Sequence, residues 1–459
     1  MRITGISNGA LLQRDENSGL CRVYLEFENG TAPKASAGEL RLVGNDIWEF
    51  SGLPVGGPYE VTFSFGSESR TFVDIFVGDL WLLAGQSNME GAGRMRSEDY
   101  GYAASPDERL RAFYMEDRWR PAHPQLHKLW LSSDACHRKV YDDYINMLSE
   151  QNIVVKDLPP EESARGVGPG YFFARRMFEL TGVPQGLIPA AVGGAPIEMW
   201  APVEGEVNYY SAACRRVRAC GRNIRGIFWY QGEGFGGLFE NYTRLFESMR
   251  KGLAELCRSN VMPCVQVQTA KCTLPYIYGV SERLFFWSRY RDHLLKMSKE
   301  LPALATVPTN DLALEDCVHI DSASQEKLGI RGADAMYHIV WGEGEPLPEI
   351  SGISAVEDRI FPGFCTLEIS YANTCGGLCA VGNPSGFSFS DGEEEPSLIN
   401  VQNVRLEENK VLIRFELGYD DVRRKKLWYG FGVDFNCSIS DGKRRPLPSQ
   451  GPIELSQYI

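Results

Sequence analysis

Three solid apolar runs, each ending abruptly in a short polar motif with glycine, constrain the fold of this chain more than any other feature. The runs begin at Val77, Gly186 and Gly226. The motifs that follow them are Gly85-Gln86-Ser87-Asn88-Met89, Gly193-Gly194-Ala195-Pro196 and Gln231-Gly232-Glu233. An apolar run of strand length is typical of a strand that is covered on both faces, as in a parallel sheet.

Long amphipathic segments, such as residues 238–257 and 281–301, alternate with these runs. This alternation predicts an α/β fold built around a parallel sheet. In open α/β sheets, ligands bind beyond the carboxyl ends of the strands. We therefore expect the three polar motifs to meet at that edge.

The pattern of the sequence changes twice along the chain. Residues 1–75 alternate apolar and polar positions in short runs separated by Gly, Pro and Asn, which predicts a small all-β domain. Residues 76–345 carry the βα alternation and form the predicted α/β domain. Short alternating runs return over residues 346–459, which predicts a second β region.

Composition excludes several classes of partner. The 459 residues are 43% hydrophobic and 23% charged, as in an ordinary globular protein. Lysine and arginine supply 47 positive charges against 60 negative ones, and a net charge of −13 repels a phosphate backbone. No apolar run approaches the length of about 20 residues that a membrane-spanning helix needs. We expect neither nucleic acid nor a membrane as a partner, and we make no prediction of oligomeric state.

The N-terminal segment has no apolar run of signal-peptide length, and Asp15 and Glu16 occur where one would lie. A cytoplasmic location is expected for the chain as written, and a secreted or periplasmic one if a leader was removed. The 12 cysteines are spread along a chain too long to need a disulfide framework, so reduced thiols are expected. Their spacing does not match a zinc site, and we expect no metal and no cofactor.

A fourth motif supplies a candidate general base. Asp316 precedes His319 by three residues, so its carboxylate can reach the imidazole Nδ1 and leave Nε2 to face a nucleophile. The other five histidines lie in helical segments or in an irregular insertion over residues 94–165 (His123, His127, His137, His293 and His338). In that insertion a surface position is the expectation for any single residue, although such loops are often functional.

Together the motifs resemble one family. They are Gly85-Gln86-Ser87-Asn88-Met89, Gly193-Gly194 with Ile197 and Trp200, Trp229-Tyr230-Gln231-Gly232-Glu233, and Asp316-x-x-His319 followed by Lys327-x-Gly329-x-Arg331. This set is similar to that of the sialate O-acetylesterases, which belong to the SGNH (GDSL-like) hydrolases and are related to the acetylxylan esterases of carbohydrate esterase family six.

The resemblance implies a flavodoxin-like three-layer α/β/α catalytic domain with flanking all-β regions, and a serine esterase acting on O-acetylated carbohydrates. It makes Ser87 the nucleophile, His319 the general base and then acid, and Asp316 the group that orients the histidine. It also implies an oxyanion hole made of the Ser87 N–H, an N–H of the Gly193-Gly194 pair and the Gln231 side-chain amide. This agrees with what hydrolysis of an acetyl ester requires.

Other roles have competing interpretations. Glu198 and Trp200 are candidate sugar contacts, although an aromatic residue in an α/β domain is more often core. Glu233 is a candidate substrate contact, with a buried hydrogen-bonding anchor as the favoured interpretation. Ala195 replaces a threonine of the family pattern and Ile320 a proline, which alters the pocket walls.

Alternative functions are an acetylxylan esterase, another acetyl-sugar esterase, a peptidase or lipase that uses the same triad, or a non-catalytic carbohydrate-binding protein. An α/β-hydrolase is disfavoured because Met89 occupies the last glycine position of its Gly-x-Ser-x-Gly elbow.

Overall fold

The computed structural model describes residues 2–28, 32–150, 165–203, 205–273, 283–361, 363–391 and 403–459. The chain divides into two compact units. The first comprises Met1–Val265 and Asp321–Tyr337, and the second comprises Gln266–Ile320 and His338–Ile459.

The strands of the first unit are β1 (Arg2–Thr4), β2 (Leu11–Gln13), β3 (Leu20–Glu28), β4 (Lys34–Ala35), β5 (Glu39–Gly44), β6 (Ile47–Pro54), β7 (Gly56–Phe65), β8 (Glu68–Gly85), β9 (Gly93–Arg94), β10 (Leu110–Phe113), β11 (Trp119–Pro121), β12 (Arg165–Val167), β13 (Gln185–Pro189) and β14 (Gly226–Tyr230). Its helices are α1 (Ser87–Glu90), α2 (Ser97–Ala104), α3 (Ala135–Glu150), α4 (Gly170–Thr181), α5 (Tyr209–Ala219) and α6 (Phe239–Leu256), with 3₁₀ turns at Leu129–Leu131 and Ile197–Trp200.

The first strands form an antiparallel sheet in the order β1-β3-β6-β5. In β3 the side chains of Cys21, Val23, Leu25 and Phe27 are buried, which is the alternation of a strand with one face on a core. The Phe27 ring meets the Phe63 ring of β7 edge-on, with the centroids 5.6 Å apart. The strands β3 and β7 thus contain two of the short alternating runs of this part of the sequence, residues 22–27 and 59–65.

A larger mixed sheet has the order β11-β10-β13-β8-β14 within this unit. Strands β10, β13, β8 and β14 run parallel, and β11 pairs antiparallel with β10 at the edge. Strand β8 has 18 residues. Its first part pairs with the hairpin strand β7, and its last part lies between β13 and β14. The change in pattern near residue 75 therefore falls inside one strand, and the predicted domain boundaries stay a prediction.

Helices cover both faces of this sheet around β14. Successive residues of a strand point to opposite faces. The Phe228 ring stacks on Phe173 of α4, with the centroids 5.1 Å apart. The ring of the next residue, Trp229, meets Phe246 of α6 at 5.9 Å. Both aromatic residues are almost fully buried, so this strand is apolar throughout because it has a core on each side.

In the second unit the described strands are β16 (Leu304–Val307), β17 (Glu349–Glu357), β18 (Cys365–Ala372), β19 (Leu378–Ala380), β20 (Phe387–Ser390), β21 (Asn403–Glu407), β22 (Lys410–Phe415), β23 (Lys426–Tyr429), β24 (Ile439–Asp441) and β25 (Gln450–Glu454). Its helices are Arg283–Glu300 and Tyr419–Arg423, with a 3₁₀ turn at Leu455–Gln457. Strand β15 (Cys264–Val267) and the helix Ser322–Trp341 cross the boundary between the units.

The β region of the second unit contains small antiparallel sheets in the orders β17-β18-β22-β21, β20-β23-β25 and β19-β24. Strand β18 buries Cys365, Leu367, Ile369 and Tyr371 in alternation. The predicted second β region is confirmed, and the mixed α/β fold with additional β regions is the architecture of the chain. In the described ranges, no helix is long and apolar enough to cross a membrane.

One expectation about the fold was wrong. Residues 94–165 are not an irregular insertion, because they contain α2, α3 and β10, a strand of the central sheet. Residues 151–164 of this segment lie outside the described residues. Strand β10 carries Arg111, a buried guanidinium that interrupts the apolar pattern and pairs with Asp74 at 2.6 Å.

Gly78 provides a test of the packing of β8. A Cβ atom at this position would lie 1.9 Å from the Pro184 carbonyl oxygen. Relief of this clash requires a shift of backbone atoms, which costs more free energy than a side-chain rotation. We expect Gly78→Ala to lower the free energy of unfolding by about 3 kcal/mol. The measurement is urea unfolding. Gly101→Ala is the matched control, because it has open space in α2 and alanine favours the helix. Equal stability of the two variants would contradict the described register.

Candidate functional site

Ser87 is placed by the end of the central strand. Strand β8 ends at Gly85, whose φ is +132° and whose Cβ would lie 2.0 Å from the Tyr230 carbonyl oxygen. Only glycine fits this close approach. The next N–H, that of Gln86, donates to the same carbonyl at 2.8 Å, and Ser87 then begins the short helix α1. The serine is half-buried, so a substrate can reach the turn that carries it.

The Gly193-Gly194 turn lies against Ser87. The Val192 N–H donates to the Gly85 carbonyl at 3.1 Å, which ties the chain after β13 to the end of β8. A Cβ atom on Gly193 would lie 3.7 Å from the Ser87 Cβ. Gly194 is exposed and has a φ of +69°. The backbone of Gly193, one of the two glycines predicted to contribute to the oxyanion hole, therefore borders the predicted nucleophile.

Glu90 is a site residue that the sequence analysis missed. Its Oε2 accepts a hydrogen bond of 2.6 Å from the Gly193 N–H. Burial raises the pKa of this carboxyl group to about 8, although the bond from Gly193 acts in the opposite direction. The available signal was its spacing, because residues three apart in a helix share a face and Glu90 follows Ser87 by three.

The third motif packs against the first. The Asn88 Nδ2 donates to the Glu233 Oε1 at 2.7 Å, and the Gly232 N–H donates to the Gln86 Oε1 at 3.2 Å. The Gln231 Nε2 donates to the Ala195 carbonyl at 3.2 Å. This bond uses one of its two amide hydrogens. The expectation that the three motifs meet at the carboxyl edge of the sheet is confirmed.

The surroundings of Glu233, Trp200 and Glu198 show which of these residues is accessible to a substrate. Glu233 is buried and bound to Asn88, as expected for an anchor. Trp200 is fully buried and meets Trp229 edge-on at 5.2 Å, so it is a core residue. A side chain without exposed surface cannot touch a sugar, and the predicted sugar contact of Trp200 was wrong. Glu198 is exposed, and its role stays a prediction.

Asp316 and His319 form a tight pair in the second unit. The His319 Nδ1 lies 2.9 Å from Oδ2 and 3.0 Å from Oδ1 of Asp316. The Asp316 Oδ1 also accepts from the main-chain N–H groups of Val318 and His319, at 3.0 and 2.9 Å. Burial acts to raise the pKa of Asp316, but these hydrogen bonds outweigh it and the pKa is lowered.

A charged carboxylate held in this way favours the tautomer that has the proton on Nδ1, which leaves Nε2 to accept a proton. Ser87 belongs to the first unit and this pair to the second. That the three residues act together as a triad is a proposal.

Two histidines that we expected at the surface are buried. His137 is fully buried in α3, and His127 is 8% exposed. Burial lowers the pKa of His137 to about 4 and that of His127 to about 3. Both imidazoles are therefore neutral at physiological pH, and the His137 Nδ1 is hydrogen-bonded to the Ser132 hydroxyl at 2.9 Å. Within the described ranges, no group of three or more His, Cys, Asp or Glu side chains is arranged to hold a metal ion.

The fold of the chain has a solved counterpart. The structure of a carbohydrate acetylesterase from Xanthomonas citri matches it with a TM-score of 0.72 at 20% identity. The match covers 97% of this chain and 98% of that chain. The two proteins thus share an α/β fold with its additional β regions.

Family membership follows from a sequence comparison. The family model described as "Carbohydrate esterase, sialic acid-specific acetylesterase" matches residues 77–338, and the chain belongs to this family of carbohydrate esterases. A probable carbohydrate esterase of Arabidopsis thaliana is 24% identical over 56% of this chain and 89% of that protein. The sialate O-acetylesterase of Homo sapiens is 23% identical over 44% of this chain. The chain spans only 42% of the length of that enzyme.

The Asn88–Glu233 bond can be tested by truncation. Asn88→Ala leaves the buried Glu233 carboxylate without this donor, and we expect a loss of about 1–3 kcal/mol in the free energy of unfolding. Thermal unfolding followed by circular dichroism measures the change. Asn241→Ala, at an exposed position of α6, is the matched control and should change little. A stability of Asn88→Ala equal to that of the control would show that the bond has no structural role.

Proposed function

We propose that this protein is a serine esterase that removes O-acetyl groups from carbohydrates through a Ser87–His319–Asp316 triad and an acetyl-enzyme. O-acetylated sialic acid is the first candidate substrate, because the description of the matching family names a sialic acid-specific acetylesterase. The proposal includes the SGNH-type three-layer organisation of the catalytic domain over residues 76–345. An O-acetylated carbohydrate is accordingly the proposed partner.

The observation that carries the proposal is the position of Ser87. The serine follows the central strand directly, at the edge where three glycine-containing motifs converge, and the Gly193 backbone borders it. A nucleophilic serine needs preorganised donors beside it for the charge that develops in the reaction. The bidentate Asp316–His319 pair supplies the second requirement, a base in a fixed tautomer.

In the proposed mechanism His319 Nε2 takes the Ser87 hydroxyl proton while Oγ attacks the acetyl carbonyl carbon. The resulting oxyanion accepts hydrogen bonds from the Ser87 N–H, the Gly193-Gly194 turn and the Gln231 amide. The carbon–oxygen bond to the sugar then breaks, and His319 gives the proton to the departing sugar oxygen, which leaves as a hydroxyl. Water attacks the acetyl-enzyme by the same steps and releases acetate.

Ser87→Ala tests the nucleophile. Removal of Oγ eliminates the covalent step, so acetate release should fall by several orders of magnitude, to the residual rate that binding and the oxyanion donors alone support, while the fold is kept. The measurement is acetate release from a panel that contains O-acetylated sialic acid, acetylated xylo-oligosaccharides and a small activated acetate ester. Ser97→Ala, at an exposed position in α2, is the matched control.

The panel also separates the alternative functions. Serine-dependent release from xylo-oligosaccharides alone would replace the sialate substrate by a plant polysaccharide. Acetate release by Ser87→Ala at the wild-type rate would overturn the serine mechanism. Binding of acetylated sugars without any release, even from the activated ester, would favour a carbohydrate-binding protein.

Asp316→Asn tests the orienting carboxylate. The Asn oxygen can still accept from the N–H groups of Val318 and His319, so the turn should persist. The amide cannot hold the Nδ1-protonated tautomer, and we expect kcat to fall by roughly 10³- to 10⁴-fold. Steady-state kinetics with the activated ester, together with an unfolding curve, measures both effects. Full activity in this variant would show that another group orients His319.

A further inference from the structure

We propose that the Glu90 carboxyl group competes with the reaction's oxyanion for the Gly193 N–H, so that ionisation of Glu90 closes the oxyanion hole. Glu90 is then a positioning residue that governs whether a catalytic donor is available. The inference rests on the proposed function, because it needs an oxyanion to form beside Ser87. It goes beyond that function by assigning a role to a residue outside the triad and the oxyanion hole.

The geometry places the carboxyl oxygen where the oxyanion would lie with respect to this donor. Oxyanion-hole donors act at distances of about 2.7–3.1 Å from the developing charge. The Glu90 Oε2 lies 2.6 Å from the Gly193 nitrogen. A Cβ atom on Gly193 would lie 3.1 Å from this oxygen and 3.7 Å from the Ser87 Cβ. The carboxyl oxygen and the nucleophile therefore border the same glycine.

No side-chain cation balances Glu90 in the described part of the chain, where the Gly193 N–H is the donor bonded to its carboxyl group. Two titratable groups face it from other elements. The ring of His127, from the segment between β11 and α3, lies near the Glu90 backbone, and Tyr209 of α5 lies near its carboxyl group. Burial lowers the pKa of His127 to about 3 and raises that of Tyr209 above its usual value of 10. Neither group changes its charge between pH 6 and pH 9.

The two protonation states of Glu90 differ in how strongly they hold the Gly193 N–H. A neutral carboxyl oxygen forms an ordinary hydrogen bond, which the oxyanion can displace because a charged acceptor binds an N–H about twice as strongly. A carboxylate forms the stronger bond itself, and it also repels a second negative charge beside it. Because burial raises the pKa to about 8, the carboxyl group is mostly neutral at pH 7 and mostly charged at pH 9.

The first experiment compares pH profiles of kcat/KM for the full chain and for Glu90→Gln, with the activated acetate ester as substrate. The rate of Ser87→Ala is subtracted at each pH as the background. The wild-type value should fall about tenfold between pH 7 and pH 9, as the neutral fraction of a group with a pKa of about 8 does. The glutamine keeps an oxygen for Gly193 but cannot ionise, so its profile should stay flat over this range. Glu98→Gln, at an exposed position in α2, is the matched control and should keep the wild-type fall.

A second readout does not depend on activity. In protein labelled with ¹⁵N-glycine, one backbone amide should shift with a midpoint near pH 8 in the wild type and in Glu98→Gln, and should lose this shift in Glu90→Gln. That resonance is assigned to Gly193 by its disappearance in Gly193→Ala. The titration is measured on the folded protein whether or not it hydrolyses any ester.

The outcomes separate this inference from the proposed function. An alkaline fall in kcat/KM that survives in Glu90→Gln overturns the inference and leaves the esterase intact. Loss of activity at every pH in a folded Glu90→Gln also overturns it, because Glu90 would then be required for the reaction. Absence of Ser87-dependent hydrolysis overturns the proposed function, and with it the competition between Glu90 and an oxyanion. The amide titration then reports only whether the Glu90 carboxyl group that is bonded to Gly193 ionises. A Gly193 amide that does not titrate overturns the inference.

Discussion

The pairing of β8 with a parallel strand on each side determines where the residues around Ser87 lie. Leu83 is opposite Pro189 of β13, and Gly85 is opposite Tyr230 of β14. A slip of one residue would turn every side chain of the strand to the other face. The register is held where the strand enters the sheet by Asp79, a buried carboxylate bonded to two arginines. A buried charge with paired donors tolerates little displacement.

The parts of the site that depend on a local sequence pattern are predictable from the sequence. A strand with a core on both faces must be apolar throughout, and β8, β13 and β14 are recognisable for that reason. The strand β10 was missed because its four residues include Arg111, whose charge is paired with the neighbouring Glu108 and with Asp74, which lies 37 positions earlier in the sequence. Burial of His127 and His137 likewise depends on partners that no local pattern reveals. The pattern change near residue 75 coincides with a change in the strands that pair with β8, from β7 to β13 and β14.

Glu90 shows the same limit at the level of chemistry. Its spacing from Ser87 is visible in the sequence, but its protonation is set by burial and by a glycine 103 positions away. A glutamate beside a nucleophile would ordinarily be counted as a negative charge. The pKa of a carboxyl group rises when it loses water without gaining a cation. Which glutamates do so depends on tertiary contacts, and these are absent from a single sequence.

Three carboxyl groups in and around the proposed site each accept hydrogen bonds from a different kind of donor. Glu233 is held by a side-chain amide, Glu90 by a main-chain N–H, and Asp316 by an imidazole and two main-chain N–H groups. The consequences for charge are opposite, because the pKa of Asp316 is lowered and that of Glu90 is raised. A base needs a permanently charged partner, whereas an oxyanion hole tolerates no charge of its own sign. An acidic chain of net charge −13 can therefore stabilise an anionic intermediate if the carboxyl group nearest to it is neutral at the working pH.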